Sequence, residues 1–184
     1  MTRQIIRKTI AGRDIYICDN FVEEAMAARI GQMLPHLNYL RKEASRPGMP
    51  VSGAVADLSP EMLASEPFFG EMHRLGADMF AGEKFELERA YVNSAVYGDV
   101  YFPHRDCLAY DNDVTVLYYG NLVWESDWGG ETVFFNENLD AELAVSPRPN
   151  RAIAMRGAIP HRGGVPSRVY HLERFTIAYK LKAL

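Results

Sequence analysis

Cysteine is nearly absent: Cys18 and Cys107 stand far apart among 184 residues and form no CxxC unit. That excludes a disulfide framework and a thiolate zinc site, and it fits a reducing cytoplasm. Long apolar runs are missing too. No segment approaches the roughly 18 apolar residues of a membrane span, and the opening MTRQIIRKTIAG has no signal-peptide core, so a soluble, cytoplasmic chain without a membrane partner is expected. An excess of positive charge is also lacking. Twenty Lys and Arg against 24 Asp and Glu leave a net charge of -4, which supplies no basic field for a phosphate backbone and argues against nucleic acid as partner. No internal repeat and no low-complexity segment is found.

What is present is a chain that is 48% hydrophobic and 24% charged, enough for one domain, 1-184, with a sizeable core. QIIRKTI and DIYICDNF read as two strands split by a turn at Ala11 to Arg13. Asp19 or Asn20 is placed to cap a helix over FVEEAMAARIGQML, and Ser59 to cap a second one that continues with interruptions through EPFFGEMHRLGADMF. Between them, Arg41 to Leu58 reads as a Pro- and Gly-containing loop, a candidate lid. From Glu86 onward short strands alternate with Gly, Asn, Asp and Pro turns. The expectation is a mainly β fold with flanking helices (α+β): N-terminal strands and helices over about 4-82, and a β-sandwich or barrel over about 86-184.

The chemistry starts at His104-Arg105-Asp106. In an extended chain side chains alternate, so positions i and i+2 point together and can offer an imidazole and a carboxylate to one metal. A second histidine completes the facial triad of non-haem Fe(II), which leaves three positions open. His161 ends the strand RAIAMRGAIP ahead of the turn RGGVPSR and can reach a barrel mouth. His171 lies three residues before Arg174, which puts the two on opposite faces of a strand. An iron site using 2-oxoglutarate also needs a buried cation for the far carboxylate. Arg174 begins RFTIAYKL with Thr176 on the same face, and Arg168 is the second choice.

At this point the chain resembles the 2-oxoglutarate and Fe(II)-dependent oxygenase superfamily, most closely its prolyl-hydroxylase-like branch. The resemblance runs from about Tyr91 to Leu181 through HRD, VTVLYYGN, WGGETVFF, PRPNRAIAMRG, PHRGG and RFTIAY, and their order and spacing carry it. It implies a double-stranded β-helix (jelly-roll) core. It implies His104, Asp106 and His161 as iron ligands, Arg174 on the 2-oxoglutarate C5 carboxylate, Tyr119 on that same carboxylate, and Tyr97 near the oxalyl end. The interval from His161 to Arg174 is longer than usual in that branch, and VPSRVYH accounts for the excess. A rival assignment with His171 as ligand and Lys180 as cation restores the shorter spacing but strands PHRGG. The implied cofactors are Fe(II), 2-oxoglutarate and O2, with succinate and CO2 released. The carboxylate at Asp106 disfavours halogenation, which leaves hydroxylation, or desaturation, cyclisation or epimerisation.

The loops expected around the mouth are acidic and aromatic, with Asp111, Asp113, Trp124, Asp127 and Trp128. Either these are solvated surface charges, or they bind a cationic small molecule such as an amino acid or an aminoglycoside-type metabolite. A prolyl or lysyl peptide and a cupin-like metal enzyme without 2-oxoglutarate are the alternatives. Monomer and homodimer remain open.

Overall fold

The computed structural model of the chain describes residues 2–184. Strands β1 (Gln4–Ile10) and β2 (Arg13–Asp19) form a hairpin whose turn residues Ala11 and Gly12 both take positive φ, 49° and 74°. That is the turn geometry that follows the twist of paired strands. Helix α1 (Glu24–Met33) follows, without the expected cap. Asp19 is engaged by Arg151 and Asn20 sits at φ 52°, so the chain enters the helix at Glu23 with no side-chain cap. Helix α2 (Pro60–Ser65) begins as expected, the Ser59 hydroxyl accepting from the Met62 amide at 3.2 Å. Pro67 then opens a separate helix α3 (Pro67–Met79).

The stretch expected as a lid loop is partly strand. β3 (Leu40–Glu43) pairs with β4 (Gly53–Asp57), and β4 pairs with β5 (Phe85–Ala95). Val55 in GAVAD is buried between the sheets, which anchors this edge hairpin. Only residues 44–52 and Leu58 of that stretch lie outside strands.

The remaining strands are β6 (Val114–Tyr119), β7 (Thr132–Phe135), β8 (Ala141–Val145), β9 (Arg151–Arg156), β10 (His161–Arg162) and β11 (Arg174–Ala183). One antiparallel sheet runs β1-β2-β9-β6-β11-β5-β4-β3, and a second runs β10-β7-β8. Together they form the expected jelly roll, with helices on its flank. The large sheet is covered on both faces, which is why β6 is buried at all six positions. Val114, Val116 and Tyr118 meet Phe68, Phe69 and Met72 of α3, while Leu117 and Tyr119 face the interior with Phe134 and Val145 of the small sheet. At about 1.5–3 kcal/mol per buried large side chain, the two layers rigidly fix β6 and its neighbour β11. On β11, Phe175, Ile177, Tyr179 and Leu181 go to the helix side. Arg174, Thr176, Ala178 and Lys180 therefore face inward. No described helix is long and apolar enough to cross a membrane.

Candidate metal and co-substrate centre

His104 and Asp106 follow β5 on an extended segment that lies against β10. The His104 amide donates to the His161 carbonyl and the His161 amide to the His104 carbonyl, both at 2.9 Å, while the Asp106 amide donates to the Gly157 carbonyl at 2.8 Å. Backbone pairing alone thus sets the two histidines side by side, ring centroids 4.6 Å apart. His104 Nδ1 lies 3.0 Å from the Phe102 carbonyl and His161 Nδ1 2.9 Å from the Ile159 carbonyl. Those acceptors place the ring protons on Nδ1 and leave both Nε2 lone pairs free. The Nε2 atoms approach the two Asp106 oxygens at 3.5 and 3.6 Å, and the three ligand atoms lie within 4.8 Å of one another. Burial pushes the His161 imidazole down to about 4, so it is neutral near pH 7. Burial opposes ionisation of Asp106, yet its surroundings, the Lys180 ammonium among them, outweigh it and hold the carboxyl well below its ordinary range. Two nitrogens and one carboxylate converging from one side are the donor set of an octahedral iron site with open positions.

Asp106 has two further partners. The Thr115 hydroxyl donates to Oδ2 at 2.6 Å and the Lys180 ammonium to Oδ1 at 2.8 Å. Burial pulls the Lys180 pKa down, but the charge of Asp106 and the nearby Tyr91 raise it further, so it stays protonated. The rival assignment that coupled Lys180 with His171 fails in an instructive way. His171 is exposed in the 163–173 loop, whereas Lys180 faces the cluster, on Asp106 rather than beside Arg174.

From the triad a cavity runs inward along β5 and β11 past Tyr91, Asn93, Tyr101 and Thr132 to Arg174. Arg174 is 3% exposed. It donates through Nη1 to the Thr176 hydroxyl and through Nη2 to Thr132 Oγ1 at 3.3 Å, and its guanidinium lies 5.2 Å from the Tyr119 ring centroid. A Cβ at Gly130 would come within 2.9 Å of Arg174 Cδ and 3.1 Å of the Trp124 ring, so only glycine lets the loop close over the arginine. Among the described residues, four buried side-chain polar atoms lack a hydrogen-bond partner: Arg174 Nε, Tyr101 Oη, Asn93 Oδ1 and Glu66 Oε2. Glu66 forms an ion pair with Arg29 at 2.8 Å. The other three residues all line this one cavity. Unpaired buried donors and acceptors are costly, so their convergence marks a place built for a polar ligand. A molecule with a carboxylate at the Arg174 and Tyr101 end and metal-binding oxygens at the triad end fits that arrangement, as 2-oxoglutarate does.

Several expected residues take other places. Thr176 is at the site, beside Arg174. Tyr119 is buried next to it, but its hydroxyl is committed to Thr132 Oγ1 at 2.8 Å and the Val145 carbonyl at 3.1 Å, so it supports the guanidinium from behind. Tyr97 is 62% exposed. The pairing of β5 with β11 ends at Ala95 opposite Arg174, and the chain then turns at Gly98, φ 96°, which throws Tyr97 outward. Tyr101 returns into the cavity in its place. Arg168 is exposed in the loop before β11 and takes no part. None of Asp111, Asp113, Trp124, Asp127 and Trp128 lines the cavity or the groove at its mouth. Asp111 accepts from the Leu108 amide at 3.0 Å and Asp113 from the Ala183 amide at 2.9 Å, both structural roles. Asp127 is exposed. Trp124 and Trp128 pack on each other and on Tyr170, centroids 5.6, 4.8 and 4.3 Å apart, and so clamp the long 163–173 loop instead of offering a free aromatic face.

Comparison with known proteins agrees with this geometry. A family model described as the 2OG-Fe(II) oxygenase superfamily matches residues 92–179. A search of curated proteins finds no matching sequence. Among solved structures, the chain is similar to a prolyl hydroxylase from Trichoplax adhaerens, in complex with a hypoxia inducible factor oxygen degradation domain peptide fragment. The TM-score is 0.69 at 17% identity over 91% of this chain and 83% of that one. It is also similar to a Pseudomonas putida prolyl-4-hydroxylase, TM-score 0.66 at 15% identity over 91% and 92%. A third likeness is the non-heme alpha ketoglutarate dependent epimerase SnoN from nogalamycin biosynthesis, TM-score 0.67 at 12% identity over 91% and 78%. The matched segment, just under half of the chain, carries His104, Asp106, His161 and Arg174; through it the chain is similar to the 2OG-Fe(II) oxygenase superfamily, and the likeness supports a 2-oxoglutarate-dependent dioxygenase that uses Fe(II), 2-oxoglutarate and O2.

Proposed function

We propose that the chain oxidises a small molecule, with His104, Asp106 and His161 holding Fe(II), and Arg174, Tyr101 and Thr176 holding the far carboxylate of 2-oxoglutarate. The observation that carries the assignment is the single cavity with the triad at one end and the partnerless Arg174 Nε and Tyr101 Oη toward the other. Bound iron and 2-oxoglutarate supply O2 activation, the co-substrate leaving as succinate and CO2 while the substrate is oxidised. The chain's own residues position and exclude. Arg174, backed by Thr176, Thr132 and the Tyr119 ring, fixes the depth at which the co-substrate sits. Thr115 and Lys180 hold the Asp106 carboxylate ionised and oriented. The covered sheet keeps bulk water from the inner end.

A small substrate is favoured by the mouth. Residues 45 and 46 reach across it: the Ser45 hydroxyl accepts from the Phe102 amide at 3.0 Å, and Arg46 donates to the Pro103 carbonyl at 3.3 Å. That strap narrows the approach a peptide would need. The prolyl hydroxylases among the structural neighbours make proline peptides the reading to compare against, and SnoN shows that the fold also serves an epimerase.

The test is anaerobic titration with Fe(II) and 2-oxoglutarate, following the visible charge-transfer band, then succinate release with metabolite pools and with prolyl and lysyl peptides. Wild-type protein is expected to give the band and metabolite-stimulated succinate. His104→Ala is expected to lose the band, and Arg174→Ala to require far more 2-oxoglutarate. No band from wild-type protein sinks the assignment, and stimulation by peptides alone replaces the small-molecule reading.

A further inference from the structure

The outer end of the cavity opens onto a groove between residues 42–48 and the His104–Asp106 segment, floored by Arg89, Tyr91 and Lys180. Five of its side chains are cations, Lys42, Arg46, Arg89, Arg105 and Lys180, against two carboxylates, Glu43 and Asp106. In a chain of net charge -4 this is a local reversal of sign. Two carboxylates outside the groove pair with three of the five. Lys42 and Arg89 share Asp57 at 2.6 and 3.1 Å, and Arg105 pairs with Glu137 at 2.7 Å. Arg46 has only the Pro103 carbonyl, and Lys180 has only Asp106 as an ionic partner.

A divalent metal on Asp106 offsets that carboxylate. Lys180 and Arg46 then leave net positive charge facing whatever lies beside the metal. An amine in that position is repelled, whereas an anion is both attracted and hydrogen-bonded. We propose that the substrate carries an anionic group, a carboxylate or a phosphate ester, held between Lys180 and Arg46 at the metal's outer side. Its remaining atoms then lie along the groove over Tyr91, with a C-H bond turned toward the triad. The proposal rests on the metal and co-substrate reading given above, and it reverses the cationic substrate suggested by the acidic loops, none of which reaches this groove. Lys180 and Arg46 come from distant parts of the chain, an inward position of the last strand and the 44–52 loop, so the groove is formed only when the loop is seated.

The test uses the full chain loaded with Fe(II) and saturating 2-oxoglutarate. Matched series of small carboxylic acids, phosphate esters, primary amides and amines on the same carbon skeletons are screened for stimulated succinate release. Binding of the same probes is measured anaerobically by calorimetry. Acids or phosphates are expected to bind and stimulate, and their relative strength says which anion the site prefers. In Arg46→Glu, an exposed position, the acid-over-amide preference in kcat/KM is expected to fall by about tenfold or more, and in Lys180→Met likewise. Amines outperforming acids overturns the proposal. So does an unchanged preference in both variants, or a series in which no anion binds or stimulates although the charge-transfer band forms. Absence of that band in wild-type protein instead overturns the metal reading itself, and this proposal with it.

Discussion

Lysine at position 174 would keep the positive charge but lose the fork that reaches Thr176, Thr132 and the co-substrate together. Arg174→Lys is therefore expected to raise the KM for 2-oxoglutarate by roughly 10- to 100-fold with a smaller change in kcat, measured by succinate release at varied co-substrate. Tyr101 offers a finer probe. A Cβ at Gly53 would lie 2.0 Å from its hydroxyl, so Gly53→Ala must displace the tyrosine, while Tyr101→Phe removes only the oxygen. Both are expected to weaken 2-oxoglutarate binding, the phenylalanine variant by about 1 kcal/mol, a few-fold in Kd by calorimetry. Equal affinity for wild type and Tyr101→Phe would place the co-substrate elsewhere. The pairings of His104 with Asp106 and of Arg174 with Thr176 were legible in the sequence because strand alternation fixes which side chains point together, while His161 was reached through its place before a turn and through the family resemblance. Tyr101 was not, because the choice between it and Tyr97 depends on where β5 releases β11, a matter of register. Lys180, named from the sequence only as a rival co-substrate cation, obeys the same alternation as Arg174 and Thr176, which puts it on the inner face but does not tell that it meets Asp106.

The 163–173 loop and the segment around the short 3-10 turn Ser126–Trp128 hold each other at the scale of elements. Trp128 stacks on Tyr170 at 4.3 Å, and Pro166 bridges to Gly129. Trp128→Ala is expected to destabilise the fold by about 2 kcal/mol, seen as a lower Tm, and to weaken 2-oxoglutarate binding as well, because Gly130 and Trp124 close over Arg174. Loss of stability with unchanged co-substrate affinity would separate the clamp from the site. Across the large sheet, Arg151 makes two bonds to Asp19, 2.6 and 2.9 Å, which tie the end of β2 to β9. The hydrogen bond from Arg151 lowers the Asp19 pKa against the opposing effect of burial. A carboxyl lowered by folding adds stability above its unfolded pKa of about 4 and loses it as pH falls through the folded value. Asp19→Asn is thus expected to cost about 1–2 kcal/mol near pH 7 and to converge with wild type in acid, by urea melts across pH. A constant gap at all pH values would refute the ionic origin. The long strands were readable from hydrophobic alternation, whereas β3 and β4 were hidden by the Pro and Gly residues between them. The helix cap expected at Asp19 failed because a distant arginine competes for the same carboxylate, a tertiary effect with no local trace.

For the molecule as a whole, the walls of the cavity come from both sheets and the strap at 44–52, so ligand binding and global stability are linked. Ligand that binds only the folded state stabilises it by about 2.7 kcal/mol at 100 times Kd. Saturating 2-oxoglutarate with Fe(II) is expected to raise Tm by several degrees, at about 2–4 °C per kcal/mol for a chain of this size, by calorimetric scanning. A chelator should remove that gain while leaving far-UV circular dichroism intact, since the ligand histidines are joined to each other by backbone bonds. Unfolding on chelation would refute this. The reciprocal pairing of His104 with His161 has one more consequence. Histidines set side by side by backbone bonds leave folding no means to discriminate between ions, and two imidazoles with a carboxylate bind zinc or copper more tightly than iron by the ordinary order of affinities. Which metal occupies the enzyme is then decided by the supply of each ion around it, and excess zinc should poison it reversibly.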